Sequence, residues 1–462
     1  MQDLTSGSLN RHLLKTTSFM LVMMVFQTLY FLIDLYWVGK LGTDAVAAVG
    51  IAGNISFINL ALTQMLGVGT TTVVSHAVGR KQHDDACMMF NQAQVLSAIT
   101  GVLFLAVGLL LRPAYAHAMS ADALTETLAN DYLLWFIPAM ALQFAMVAMG
   151  AALRGVGNFK PTMIVATATV ALNMILAPIL IFGWLTGRAF GVAGAAISTL
   201  ISVIVGVIWM ATYFFPRDSY LRFMRVDWKP RLATWKRILA IGLPSGFEFA
   251  LMSVYLVIVF SISRPFGPAA QAGFSIGGRI VQAGFMPVVA LGFAVAPVAG
   301  QNFGAMLSDR VRETFKRAAI MASAVMLLFT ILCHIAPAAL VDVFSDDAAA
   351  IAVGEEYLRI ISLNYVASGL IFVNSSMFQA MGNTIPSLIT SSVRILLVAI
   401  PAVILSRMAG FDLTWVWYLA VISVFVQLVL SMYLLQREFG RRLNFEVPVT
   451  PVPTIPEPAV PA

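Results

Sequence analysis

PRDSYLRFMRVDWKPRLATWKR, residues 216 to 237, is the longest polar run in a chain of 462 residues that is 60% hydrophobic and only 11% charged. A soluble domain carries about a quarter charged residues to solvate its surface. With a mean hydropathy of +0.87, this chain reads as an integral membrane protein. Six apolar stretches precede the run, at 13–38, 47–74, 88–111, 130–152, 161–185 and 191–215. Six follow it, at 238–262, 270–300, 318–341, 357–380, 385–406 and 413–436. Each is long enough to cross about 30 Å of hydrocarbon as a helix. The first stretch is too long for a signal-peptide core and lacks a small-residue cleavage site, so it reads as retained.

The two halves match each other at a constant offset of 225 residues. LGTDAVAAVGIAGNI (41–55) aligns with FGPAAQAGFSIGGRI (266–280), and GVGNFKPTMI with AMGNTIPSLI, pairing Gly157 with Gly382 and Pro161 with Pro386. Leu66/Leu291, Gly67/Gly292, Gly79/Gly304 and Asp84/Asp309 keep the same offset. Chance apolar similarity would not hold one offset over separated segments. The expectation is an all-α integral membrane fold of twelve transmembrane helices in two pseudo-symmetric six-helix bundles, residues 1–215 and 238–440. A basic linker (216–237) joins them, and a Pro-rich tail (441–462) follows. An even number of spans per repeat makes the repeats parallel, and transporters built this way place the substrate path between halves that rock against each other.

Placing the N-terminus inside puts 20 of the 28 Lys+Arg in inside segments, among them Lys15, Arg80, Arg154, Arg217, Arg237, Arg317 and Arg441. The positive-inside rule then predicts a multi-pass protein of the plasma (inner) membrane with both termini cytoplasmic. The net charge of +6 reports topology and contact with the lipid bilayer, not nucleic-acid binding. Cys87 and Cys333 have neither metal-ligand spacing nor a framework partner, and read as packing residues. No catalytic triad, metal cluster or phosphate-cradling loop is present, so an enzyme is not expected, nor a resident cofactor.

Met20, Met23, Gln27, Tyr30, Asp34 and Trp37 recur at steps of three and four, so they share one stripe of the first helix. A carboxylate and an amide on one stripe of a membrane helix must face protein or a water-filled cavity. The alternative is that Asp34, close to Lys40, caps or snorkels at the interface. In the seventh span Ser245, Glu248, Met252 and Tyr255 share a face. Glu248 and Asp34 are not repeat mates, and a structural pairing of Glu248 with a base such as Arg279 is its alternative. Thr169 and Asn173 in the fifth span, and Ser198, Thr199 and Ser202 in the sixth, read either as packing hydroxyls or as site residues. Pro138, Pro178, Pro244, Pro287, Pro297 and Pro401 mark possible breaks whose freed carbonyls can line a cavity.

QTLYFLIDLYWVGKLGTDAVAAVGIAGNI, ALRGVGNFKP, NMILAPILIFGWLTGRAFGVAGAAIST, IGLPSGFE and VAPVAGQNFGA together resemble the multidrug and toxic compound extrusion family, across both halves. The resemblance implies two six-helix lobes around a V-shaped cavity, exporting organic cations and other amphipathic drugs against a proton or sodium flux. By that resemblance the family's first-helix acid falls on Asp34, its fifth-helix asparagine on Asn173 and a sixth-helix polar residue on Thr199. These form the implied ion-coupling site, for a proton or, as the alternative, for a sodium ion held by the same three residues. Met23, Gln27, Tyr30, Trp37, Glu248, Met252 and Tyr255 are the expected substrate-cavity residues.

Three departures leave the branch open. Ala177 and Leu370 stand where the DinF-like and NorM-like branches carry aspartates, and LLKTTSFMLVMM lacks an early first-helix proline. The expected protein is a monomeric secondary-active antiporter for small-molecule drugs and organic cations, coupled to H+ or Na+. The alternative is a lipid-linked precursor flippase of the same superfamily, whose cavity would need more cations than Arg279 and Arg394 supply.

Overall fold

The computed structural model describes residues 2–445 apart from 186, 217 and 409. Arg217 of the orientation argument and residues 446–462 of the Pro-rich tail lie outside the described residues. The described chain is helical, and twelve of its helical segments are long and apolar enough to cross a membrane.

The first half holds α1 (Leu9–Gly39), α2 (Thr43–Gly79), α3 (His83–Met119), α4 (Ala123–Gly155), α5 (Lys160–Phe182) and α6 (Gly191–Thr212). The second holds α7 (Leu232–Ser263), α8 (Pro268–Gly304), α9 (Ser308–Ile335), a short α10 (Pro337–Asp342), α11 (Ala348–Ile361), α12 (Tyr365–Ala380), α13 (Ile385–Leu405) and α14 (Leu413–Arg442). Most run several residues past the apolar stretches, because a helix goes on hydrogen-bonding itself into the headgroup region. Thus α7 takes the last residues of the 216–237 segment as its first turns, and α14 takes the first two of the 441–462 tail. The longer α3 also encloses Pro113.

Two expected spans differ in form. The ninth does not run unbroken to 341: the chain leaves helical geometry at Ala336 (φ −137°, ψ 51°) and restarts at Pro337 as α10. Proline at the first position of α10 needs no N–H partner, so the restart is cheap. The tenth span is α11 and α12 in series, interrupted by a single 3-10 turn at Ser362–Asn364.

The duplication is visible in the backbone. Lys81 and Met306, 225 residues apart, are the two non-glycine residues with positive φ among the described residues, both at 59°. Gly42 and Gly267 (109° and 88°), and Gly157 and Gly382 (80° and 73°), repeat the pattern.

Both described ends of the chain come together near the ends of α2, α8 and α12, where Leu4 meets Gln301, Arg442 meets Met381 and Phe445 meets Phe303, and the two halves are sewn together there. A Cβ on Gly79 of α2 would overlap the carbonyl oxygen of Gln301 of α8, and one on Gly304 would overlap that of His76. The absent side chains let the two helices cross backbone to backbone. The N-terminal segment reinforces the seam: Leu4 is fully buried, its N–H donates to Gln301 Oε1 at 3.1 Å, and its carbonyl accepts from Asn302 Nδ2 at 3.1 Å. The linker is held as a strap on α3. Asn91 Nδ2 donates to Arg222 O at 2.8 Å and Asn91 Oδ1 accepts from Trp228 Nε1 at 3.0 Å. Gln92 Oε1 accepts from the Arg231 N–H at 2.8 Å. Cys87 and Cys333 are free and buried among apolar side chains.

Candidate functional site

Helix α1 carries its polar stripe along the first half-bundle, where α5 and α6 present Asn173, Ser198 and Thr199. Asn173 Nδ2 donates to Thr199 Oγ1 at 3.1 Å and to Ser198 Oγ at 3.3 Å. The Tyr30 hydroxyl shares a 3.2 Å hydrogen bond with the same Thr199 oxygen. One threonine therefore links α1, α5 and α6. Both sixth-helix hydroxyls also donate back to the Ala195 carbonyl, at 2.7 Å from Ser198 and 3.1 Å from Thr199. The packing and site readings of these hydroxyls are thus realised together.

Asp34 lies one turn from Tyr30 on this stripe. Its Oδ1 is buried with no hydrogen-bond partner among the described residues. Among the described residues it makes no hydrogen bond to Asn173 or Thr199, whose side-chain partners are Ser198, Tyr30 and each other. Nor does Lys40 neutralise it: that ammonium sits over the rings of Tyr36 and Trp37, 4.6 and 4.9 Å from their centroids. Trp37 packs edge-on against Phe182 and Trp184 (6.0 and 5.7 Å), near the C-terminal ends of α1 and α5. Met23 is partly buried and packs beside Met20, while Gln27 is exposed.

Glu248 of α7 lies inside the second half-bundle. Its two oxygens accept from Ser387 Oγ (2.8 Å) and Ser391 Oγ (2.7 Å) of α13. Ser375 Oγ of α12 reaches Ser387 at 2.8 Å, and Gln427 Nε2 of α14 donates to Ser391 at 3.2 Å. Arg279 is not its partner among the described residues; the nearby cation is Arg394, stacked over the Tyr255 ring at 5.4 Å. Met252 is 47% exposed. The two acids thus differ in kind. Glu248 has both oxygens satisfied by neutral donors, whereas Asp34 holds one oxygen in reserve.

The serines around Glu248 were missed by sequence reasoning. Ser387 and Ser391 are spaced i, i+4 in the thirteenth helix, the spacing that puts two hydroxyls on one helix face.

The family model MatE matches residues 20–179 and 244–405. The chain is 24% identical over 416 residues to the probable multidrug resistance protein YoeA of Bacillus subtilis, covering 88% of this chain and 90% of that one. It is 25% identical to the multidrug export protein MepA of Staphylococcus haemolyticus, covering 79% of each. Among solved structures, an outward-facing multidrug resistance MATE family transporter of the MOP superfamily superposes with a TM-score of 0.88 at 26% identity, over 96% of this chain and 98% of that one. With both halves matched in order by the family model, this chain belongs to the MatE family of multi-pass membrane transporters and is not an enzyme.

Proposed function

We propose that the protein is a secondary-active antiporter that exports cationic, amphipathic small molecules across the plasma membrane in exchange for protons, working as a monomer with both termini cytoplasmic. The observation that carries this reading is Asp34: a carboxylate oxygen buried without a partner, one helical turn from the Tyr30, Thr199 and Asn173 chain. An uncompensated carboxylate within the membrane is costly and persists where a cation comes and goes. Antiport requires only that ion and substrate favour different states of the protein, since a ligand shifts an equilibrium by its differential affinity. The ion satisfies Asp34 in one state; in the other Asp34 is free to attract a cationic substrate.

The substrate class is supported by the names of the relatives, which are multidrug resistance and multidrug export proteins. The orientation is supported by the basic residues gathered on the side of both described ends. Sodium is the competing ion. A hard cation wants several oxygen ligands, and Asp34, Asn173 and Thr199 bring a single carboxylate, with buried Ala177 one turn beyond Asn173. A proton needs only the one carboxylate.

Asp34→Asn keeps the shape and removes the exchangeable charge. Reconstituted in proteoliposomes, this variant is expected to lose ion-driven dye efflux while keeping the wild-type yield and melting temperature. Wild-type efflux by the variant would return Asp34 to a structural role.

A further inference from the structure

Helices α3 and α9 are repeat mates, yet they differ in charge where their apolar stretches approach the linker side. α9 carries Lys316 and Arg317 on its exposed surface, whereas α3 has no Lys or Arg before Arg112. The mates of Lys316 and Arg317 at the 225-residue offset are Asn91 and Gln92. These lie three and four residues inside the apolar stretch that begins at Met88, about 5 Å past its boundary at the rise of a helix. Both amides are fully buried, and the strap is what buries them.

Because the two amides bind strap backbone, they fix the depth at which it runs. Besides the Trp228 indole, Asn91 Oδ1 accepts from the Met224 N–H at 3.1 Å, and Gln92 Nε2 donates to the Lys229 carbonyl at 2.8 Å. The strap therefore lies at the level where the second half has Lys316 and Arg317, and it brings cations of its own there. Arg225, Lys229 and Lys236 are exposed and have no ion pair among the described residues. Arg231 is paired with Asp227 at 3.0 Å, and Asp227 is the sole acid between 219 and 237. The exposed side chains among these cations are largely apolar: Val226 is 76% exposed, Leu232 75% and Trp228 52%. Leu232 and Lys236 stand i, i+4 at the start of α7, so they share one face.

Bare valine and leucine are unfavourable in water and favourable against acyl chains. An indole ring is at home at the same boundary. Unpaired Lys and Arg at that boundary attract anionic lipid, each adding to the affinity. A second copy of this chain is a poor cover for such a face, because like charges would meet. What fits both the charge and the apolar side chains is a negatively charged headgroup with its acyl chains beside it.

We propose that residues 224–236 form a docking surface for anionic phospholipid, with Arg225, Lys229 and Lys236 holding headgroup phosphate and Val226, Trp228 and Leu232 entering the acyl boundary. The first half thus obtains from the strap the cations that the second half carries on α9 itself. This goes beyond the export reading and does not depend on it, since Asp34 and Glu248 take no part.

The test is lipid binding to the purified full-length protein, followed by native mass spectrometry, with phosphatidylglycerol and phosphatidylcholine of the same acyl chains. Wild type is expected to hold phosphatidylglycerol at least about fivefold more tightly. Arg225→Gln and Lys229→Gln are each expected to weaken phosphatidylglycerol about fivefold and to leave phosphatidylcholine within about twofold. Arg407→Gln, which removes an exposed cation just past the C-terminal end of α13, is expected to change either by less than about twofold. Equal wild-type affinity for the two lipids, or equal loss in all three variants, would overturn the surface. Release of bound phosphatidylglycerol by inorganic phosphate would give the cations to a free anion and overturn the lipid assignment. A second measurement carries the test if the charge variants do not fold: bimane attached to Val226→Cys in lipid nanodiscs, with Cys87 and Cys333 buried. It should be quenched by brominated acyl chains and hardly by iodide in the water. Quenching by iodide alone would place the strap in water and overturn the proposal.

Discussion

His76 and Gln301 stand 225 residues apart and make the same bond in opposite directions across the seam between the half-bundles. His76 Nε2 donates to the carbonyl of Ala380 at 2.6 Å, and Gln301 Nε2 donates to the carbonyl of Gly155 at 2.8 Å. The acceptors, Gly155 and Ala380, are themselves repeat mates. Each half therefore ties the end of its second helix to the end of the other half's fourth membrane span. What the two side chains share is one N–H donor at the same reach, not charge.

His76→Gln is accordingly expected to keep the seam, because glutamine already does this work on the other side of the axis. His76→Ala removes the donor and strands a buried carbonyl, a cost of about 1–3 kcal/mol. Thermal unfolding in detergent should leave His76→Gln within a degree or two of wild type and lower His76→Ala by several degrees. Equal loss in both would show that the histidine ring itself is required.

The crossing of α2 and α8 allows a second check. A methyl group on Gly79 or Gly304 has backbone carbonyl in its way, and overpacking of this kind costs about 1–3 kcal/mol. Gly79→Ala and Gly304→Ala should each open the seam. Spin labels on Lys81 and Met306, which are exposed mates just past the two helix ends, should report one short distance in the wild-type protein. A longer population should appear in either variant, and an unchanged distance distribution would show that the seam does not depend on this approach.

Glu248→Gln replaces a carboxylate whose two oxygens accept from Ser387 and Ser391 with a group that has a single acceptor oxygen. One serine hydroxyl must then turn its proton elsewhere and accept from the amide nitrogen instead, and the negative charge at this position disappears. Cationic dyes should bind several-fold more weakly while neutral ones change little. Equal losses for both, with a lowered melting temperature, would make Glu248 a purely structural centre of the second half-bundle.

The repeat was legible because it fixes backbone geometry as well as side chains: Gly42, Gly157, Lys81 and their mates all sit where the chain must take positive φ. The interruption at Ser362–Asn364 was not legible, since it contains neither proline nor glycine and its apolar surroundings continue through it. Asp34, Asn173 and Thr199 could be named from the sequence, and two of them meet. That the Thr199 hydroxyl would join Tyr30 rather than Asp34 depends on how α1 is rotated against α5 and α6, and periodicity gives a stripe, not a rotation.

The most direct measurement is dye efflux from proteoliposomes under one gradient at a time: a pH gradient without sodium, then a sodium gradient at equal pH on both sides. With Asp34 as the single carboxylate of its site, efflux should follow the pH gradient, should be abolished by Asp34→Asn, and should ignore sodium. Efflux driven by the sodium gradient alone would contradict proton coupling, and Ala177→Asp should then strengthen the sodium dependence by adding a second carboxylate one turn from Asn173.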